Sequence, residues 1–146
     1  MNKKIILSAA AVFAVVALVA QAIQPNRTNP PVNPAATWQS VAKPAPEVAA
    51  IVNRSCRDCH SNETVWPWYS HVAPMSWLVA RDVNKGRTKL NFSRWDIYSP
   101  EMSQFRLTEA CNEVRKGEMP LFFYTPLHSE AKLTPQDVET FCSAAK

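Results

Sequence analysis

The chain has 146 residues, a length that suits one domain with short accessory segments, and a formal net charge of +4 at pH 7. Two of those charges belong to Lys3 and Lys4, so the rest of the chain is nearly neutral and nothing favours nucleic-acid binding. Only 2 glycines are present, which argues against a hairpin-rich β fold, and we predict a mostly α-helical protein.

The N-terminus has the pattern of an export signal. A positive start is followed by an uncharged apolar run over residues 5–20 and then by Ala20-Gln21-Ala22, the small-x-small form of a signal-peptidase site. Extended through Ile23, the run is about long enough to span a bilayer. Residues 1–23 are therefore a signal peptide that is removed or a membrane anchor that is retained. In both cases the positive-inside tendency predicts that the remaining chain is periplasmic.

Residues 24–46 contain six of the 12 prolines and few apolar side chains. This composition predicts an extended, polyproline-like tether. The folded domain is then expected to cover residues 47–146.

From Pro46 onward the apolar residues recur at helical spacing. Val48, Ile51 and Val52 predict a first helix that runs directly into Cys56-Arg57-Asp58-Cys59-His60. Cys-x-x-Cys-His is the attachment signature of a c-type haem. Each thiol can add to one haem vinyl group, and His60 then projects toward the iron. The motif predicts one covalently bound haem c.

A Cys-x-x-Cys pair is also half of a zinc knuckle or a redox pair of the thioredoxin kind. A zinc knuckle needs a second ligand pair at similarly tight spacing, and the other two cysteines, Cys111 and Cys142, are far apart in the sequence. A thioredoxin-like site needs βαβ patterning, of which the downstream chain shows almost none. Both alternatives are weaker than haem.

Three more helices are predicted downstream. The second is expected over residues 74–85 with Gly86 as its C-terminal cap, and the third over residues 101–116, ending at Gly117. The fourth begins after Thr134, a good N-cap residue that is followed by a proline at the first helical position.

Two groups of side chains have more than one interpretation. Residues 81–94 carry five basic side chains against Asp82 alone, so they could pair with haem propionates, steer an acidic redox partner or form a solvated face. The aromatic residues of Trp66-Pro67-Trp68-Tyr69, with Trp77 and Trp95, could form a haem wall or ordinary core.

Cys111 and Cys142 fall on the apolar faces of the third and fourth helices. The periplasm tolerates disulfides, so we expect a bond between them, the alternative being two buried thiols. The bond would close a loop of about 31 residues and stabilise the fold by about 3 to 4 kcal/mol.

The sixth position of the iron separates electron transfer from catalysis or sensing. Met119 is the strongest candidate ligand because it lies just after a helix end, in a loop restrained by the following proline. An open site is the main alternative to a protein ligand. The other candidate ligands are His128 and Met75, together with Met102, which fits a core position better, and His71, which fits a surface position better.

The sequence around the motif is similar to that of a known family. The run from Cys56 to Thr64, the segments Trp66-Pro67-Trp68-Tyr69-Ser70 and Leu90-Asn91-Phe92-Ser93, and Gly117-Glu118-Met119-Pro120 resemble the bacterial haem-binding domain family of small exported proteins. The resemblance covers most of residues 27–135. It implies a single covalently bound haem, with Cys56 and Cys59 as attachment points and His60 as the proximal ligand.

Together these patterns predict a small helical domain of the class I cytochrome c kind, wrapped around one haem and acting in one-electron transfer with a redox partner protein. No residue is predicted to be catalytic. The alternatives are a haem peroxidase or a gas or redox sensor with an open distal site. A third is an interaction module in which haem mainly completes the core.

Overall fold

The computed structural model describes residues 2–145, and every regular element in that range is helical. This confirms the predicted mostly α class. The α-helices are α1 Lys3–Ala22, α2 Trp38–Ala42, α3 Pro46–Ser55, α4 Arg57–His60, α5 Met75–Lys89, α6 Pro100–Arg115 and α7 Pro135–Ser143. Short 3-10 helices cover Pro34–Ala36, Trp68–His71, Trp95–Ile97 and Ser129–Ala131.

The chain divides into two compact units. The first comprises the residues up to 28 together with 66–82, and the second comprises residues 29–65 together with the chain from 83 onward. In the first unit, α1 has a mean hydropathy of 2.5 and no buried residue. Within the described range it is the one helix that is long and apolar enough to cross a membrane.

The core of the second unit forms where α3 and α6 both pack against α7. Val52 of α3 is 0% exposed and Phe141 of α7 is 2% exposed, and both belong to the same apolar cluster. Burying side chains of this size contributes about 1.5 to 3 kcal/mol each. The helix that precedes the haem motif is thereby packed against the C-terminal helix.

The structure differs from the extended tether predicted for residues 24–46. A 3-10 helix and α2 lie in this range, and Thr37 caps α2 by accepting a hydrogen bond from the Ser40 amide. Trp38 is 1% exposed and packs against Phe92 and Trp95. Burial of this large indole outweighs the extended preference of the neighbouring prolines, so the folded part begins well before residue 47.

Two helix ends in the structure also differ from the predicted ones. The first helix does not run unbroken into the motif, because Cys56 leaves the helical conformation and separates α3 from α4. Gly86 does not cap a helix, because α5 continues through it to Lys89. A Cβ atom at Gly86 would clash with the carbonyl oxygen of Cys59. The glycine is needed for this close approach of α5 to the backbone of α4.

The end of α6 and the start of α7 lie at the signals that predicted them. Gly117 follows α6 with a φ of 74°, in the left-handed region that glycine adopts readily. Thr134 and Asp137 form a reciprocal capping box at the start of α7. An ion pair of 2.6 Å links Asp137 to Arg54 of α3, and hydrogen bonding to this guanidinium lowers the pKa of Asp137 to about 2.

A disulfide joins Cys111 of α6 to Cys142 of α7, with Cα atoms 5.1 Å apart. Both residues lie in the core, at 5% and 2% exposed. The bond therefore links two helices that already pack against each other.

Removing this disulfide is expected to destabilise the protein. Replacing Cys111 and Cys142 together by Ser should lower the free energy of unfolding by about 3 to 4 kcal/mol, as expected for a closed loop of this size. Denaturant titrations of both proteins, with and without dithiothreitol, measure the difference. Reductant should shift the unfolding midpoint of the unmodified protein only, and equal midpoints for the two proteins in the absence of reductant would contradict the prediction.

Gly86→Ala should destabilise the protein, although a change from glycine to alanine inside a helix usually stabilises it. Alanine inside a helix normally stabilises it by about 1 kcal/mol relative to glycine. Here the added methyl group meets the backbone of Cys59, and overpacking of this kind costs about 1 to 3 kcal/mol. Asn84→Ala, at an exposed position of the same helix, is the matched control and should leave the melting temperature nearly unchanged. An unchanged or higher melting temperature for Gly86→Ala would show that α5 and α4 do not approach so closely.

Candidate functional site

The motif residues Cys56, Cys59 and His60 lie on a single turn that begins where α3 ends. The Cys56 amide donates to the carbonyl of Val52 at 3.0 Å, which completes α3. The amides of Cys59 and His60 then donate to the carbonyl of Cys56, at 3.2 and 2.9 Å. Both cysteine side chains are partly buried. Two thiols and one imidazole are thus presented by one short, hydrogen-bonded segment.

Burial raises the pKa of the Cys56 thiol to about 12, and the neighbouring Cys59 adds to the increase. A catalytic Cys-x-x-Cys pair depends on the opposite shift, because its attacking sulfur must be a thiolate at neutral pH. Burial therefore acts against thiolate formation at Cys56.

The ring of His60 is oriented by Leu90, the residue that directly follows α5. Its Nδ1 atom lies 3.0 Å from the carbonyl oxygen of Leu90. Burial lowers the pKa of His60, against a smaller opposing effect of the carbonyl groups of Leu90 and Gly86. A neutral imidazole that donates from Nδ1 to a carbonyl has its lone pair on Nε2, the arrangement found in metal-binding histidines. The site thus presents Nε2 as the atom that can ligate iron.

A short series of main-chain hydrogen bonds holds this imidazole against the core. The Phe92 amide donates to the carbonyl of His60 at 2.8 Å, and the Trp38 amide donates to the carbonyl of Phe92 at 2.8 Å. The indole Nε1 of Trp38 is buried, and no acceptor among residues 2–145 bonds to it. A buried donor without an acceptor costs about 1 to 3 kcal/mol. A haem propionate is a group that could accept this bond, so the residue fits the predicted cofactor.

Arg87 fixes the loop that follows the motif. Its guanidinium donates to the carbonyl of Ser61 at 2.7 Å, to the side-chain oxygen of Asn29 at 2.7 Å and to the hydroxyl of Thr64 at 2.9 Å. The Thr64 hydroxyl in turn donates to the carbonyl of Asp58 at 2.6 Å. The basic stretch 81–94 was predicted to face propionates, a partner or solvent, and Arg87 instead holds the backbone around the motif.

The loop after α6 is tied to the motif as well. Met119 is partly buried and packs against the same apolar cluster as Cys56. The phenol of Tyr124 donates to the carboxylate of Asp58 at 2.9 Å. The His128 ring stacks on the Tyr124 ring at a centroid distance of 4.0 Å, and its Nδ1 lies 3.3 Å from the carboxylate of Glu130. This loop therefore carries two candidate sixth ligands.

Sequence reasoning did not select Asp58, Tyr124 or Arg87. Asp58 occupies one of the two variable positions of the motif, and Tyr124 lies in a loop without periodicity. No local pattern signals that two residues 66 positions apart will share a hydrogen bond. Only the excess of basic residues in 81–94 marked the neighbourhood of Arg87.

The remaining predicted residues have varied surroundings. Met102 is 41% exposed on α6, so the predicted core position is wrong. Met75 and His71 are also exposed. Of the aromatic residues predicted as a haem wall or core, Trp95 is buried beside Trp38 and Phe92. Within residues 2–145, no three or more His, Cys, Asp or Glu side chains are grouped so that they could hold a metal ion.

Comparison with known proteins agrees with haem as the cofactor. Residues 15–146 match a family model described as a haem-binding domain. No curated protein and no solved structure matches the chain. The family match takes in the motif, the loop of Met119 and both helices of the disulfide. Since it covers all of the chain except the first part of α1, the chain belongs to the haem-binding domain family and is a haem protein.

Proposed function

We propose that the protein is a c-type cytochrome with one covalently attached haem, which transfers single electrons on the periplasmic side of the cytoplasmic membrane. The observation that carries the proposal is the motif turn. Cys56 and Cys59 lie on the same short segment as His60, whose Nδ1 is engaged by Leu90. When bound, haem supplies an iron centre that changes its oxidation state by one electron.

In this proposal each protein group near the motif has a defined task. Cys56 and Cys59 hold the cofactor through thioether bonds, and the carbonyl of Leu90 orients His60 so that Nε2 ligates the iron. Arg87 keeps the following loop closed on its own backbone. The apolar cluster around Cys56 excludes water, and a dry surrounding is one of the factors that set the reduction potential.

Met119 is proposed as the sixth ligand. Two observations support it: the side chain is partly buried against the cluster that Cys56 contacts, and its loop is held to the motif through Tyr124 and Asp58. A methionine ligand raises the reduction potential relative to a second histidine. A closed sixth position suits a carrier, because the iron then has no site for a substrate.

The proposed location is supported by α1, whose length and hydropathy suit a membrane-spanning segment. Lys3 and Lys4 at its start favour a cytoplasmic N-terminus, which leaves the haem-binding residues on the periplasmic side. The exposed Lys85 and Lys89 are suited to an acidic redox partner protein.

A haem peroxidase or a sensor is the second candidate, and one observation favours it. The Nδ1 of His128 lies 3.3 Å from Glu130, and an imidazole oriented by a carboxylate can act as a general base through its other nitrogen. This function requires an open sixth position, so the ligand state of the iron separates the two candidates.

Covalent attachment is tested with the two cysteine pairs of the chain. In cells with the periplasmic cytochrome maturation machinery, the unmodified protein should keep its haem through denaturing electrophoresis and acid-acetone extraction. Replacing Cys56 and Cys59 by Ser should release all of it, since no thioether can form. The Cys111→Ser, Cys142→Ser protein is the matched control and should stay stained for haem. Extraction of haem from the unmodified protein would refute covalent attachment.

Ligation by Met119 is tested with carbon monoxide. The reduced protein should bind carbon monoxide poorly, and Met119→Ala should bind it readily and lose the weak far-red band of methionine-ligated ferric haem. Met102→Ala, at an exposed site on α6, should behave like the unmodified protein. Ready binding by the unmodified protein would favour the peroxidase or sensor. If His128→Ala alone opens the site, His128 is the ligand.

A further inference from the structure

The segment from Trp66 to Trp77 has an unusual composition. It contains Trp66, Trp68, Tyr69 and Trp77, and no Asp, Glu, Lys or Arg occurs from Trp66 as far as Ala80. We call residues 66–77 the aromatic segment. It belongs to the same compact unit as α1.

Three hydrogen bonds join the aromatic segment to the C-terminal end of α1. The Gln21 side chain donates to the carbonyl of His71 at 2.7 Å and accepts from the amide of Ala73 at 3.0 Å. The indole Nε1 of Trp77 donates to the carbonyl of Ile23 at 2.7 Å. The last carbonyl groups of a helix have no partner within the helix. At this end of α1, the indole of Trp77 supplies a partner for the carbonyl of the C-cap residue Ile23, and the Gln21 side chain bonds main-chain groups of the aromatic segment.

The aromatic segment leaves large apolar side chains uncovered. Trp68 is 76% exposed, Val72 is 48% exposed and Trp77 is 40% exposed. Single exposed apolar residues are common on protein surfaces. Here they occur within one uncharged segment, next to the end of a helix that is itself apolar and exposed along its length.

We propose that α1 is retained as an anchor and that the aromatic segment binds the lipid–water boundary of the periplasmic leaflet. The inference rests on the membrane location in the proposed function. A helix of 20 residues is about 30 Å long, which equals the thickness of the hydrocarbon core. Gln21 and Ile23 then lie at the periplasmic boundary, and the residues hydrogen-bonded to them share that depth. Trp and Tyr are the residues enriched at this depth in membrane proteins.

Retention of α1 follows from the same contacts. Ala20-Gln21-Ala22 has the form of a cleavage site, and cleavage after it would remove Gln21 together with its two bonds to the aromatic segment. Trp68 and Val72 would then stay exposed to water, because no bilayer would cover them. An integral membrane protein that covers the segment is the competing occupant. The segment itself carries no Asp, Glu, Lys or Arg, whereas the rim of a protein docking surface is usually polar.

Lipid photolabelling of the full-length holoprotein tests the inference. The protein is reconstituted in vesicles of phosphatidylethanolamine and phosphatidylglycerol that contain a lipid with a diazirine near its glycerol group. After irradiation, mass spectrometry should find several-fold more label in residues 66–77 than in residues 121–128. The second range is the internal control, because its Phe122 and Leu127 are 83% and 62% exposed but belong to the other unit.

Two matched variants and one fractionation complete the test. Trp68→Glu should reduce label in the aromatic segment, Phe122→Glu should not, and both should retain the haem spectrum. Release of the native protein by alkaline carbonate, or a mature mass without residues 1–22, would refute the anchor. If the protein resists carbonate but residues 66–77 and 121–128 are labelled equally, only the lipid contact is refuted. Photocrosslinks from Trp68 to a membrane protein in native membranes, without lipid label, would assign the segment to that partner instead.

Discussion

The close packing of α5 on the motif turn is the constraint on which the site depends. Gly86 lets the helix approach the carbonyl of Cys59, and this approach brings the carbonyl of Leu90 within 3.0 Å of His60 Nδ1. A side chain at position 86 would separate the two elements and remove the acceptor that selects the tautomer of His60. One glycine thereby permits the approach that places the carbonyl of Leu90 beside the ring of His60.

Hydrogen bonds from the same part of the chain also hold the motif and the loop after it. The ring of His60 is held by Leu90, its carbonyl by Phe92, and the loop after it by Arg87. These bonds come from residues 86–92, so a short length of chain supports both sides of the motif turn. The buried indole of Trp38 continues the series and brings a donor without an acceptor into the same core. A propionate of a bound haem could accept a hydrogen bond from this indole.

The parts of the fold that the sequence predicted are those with local signals. Thr134 and Asp137 define the start of α7 and Gly117 the end of α6, because capping depends on residues three or four positions apart. Gly86 misled the prediction because a glycine serves a helix cap and a close backbone contact equally well. The contact between Tyr124 and Asp58 could not be predicted, since it depends on how the loop after α6 returns to the motif. The prediction of an extended tether fails for residues 34–42, because composition alone does not show that Trp38 is buried in the core.

The environment of the aromatic segment follows from the exposure of its side chains and not from its composition alone. An uncharged stretch with three tryptophans fits a cofactor wall, a protein core or a membrane boundary equally well, because each environment favours large apolar rings. Exposure separates these cases. Trp95 is 4% exposed and stacks on Phe92 in the core, whereas Trp68 is 76% exposed and Trp77 directs its indole N–H to the last turn of α1. A tryptophan that remains in water gains nothing from its apolar area. The indole of Trp77 has its N–H bonded and part of its ring exposed. Such a ring is suited to the boundary between lipid and water, where its apolar face is buried and its N–H keeps its hydrogen bond.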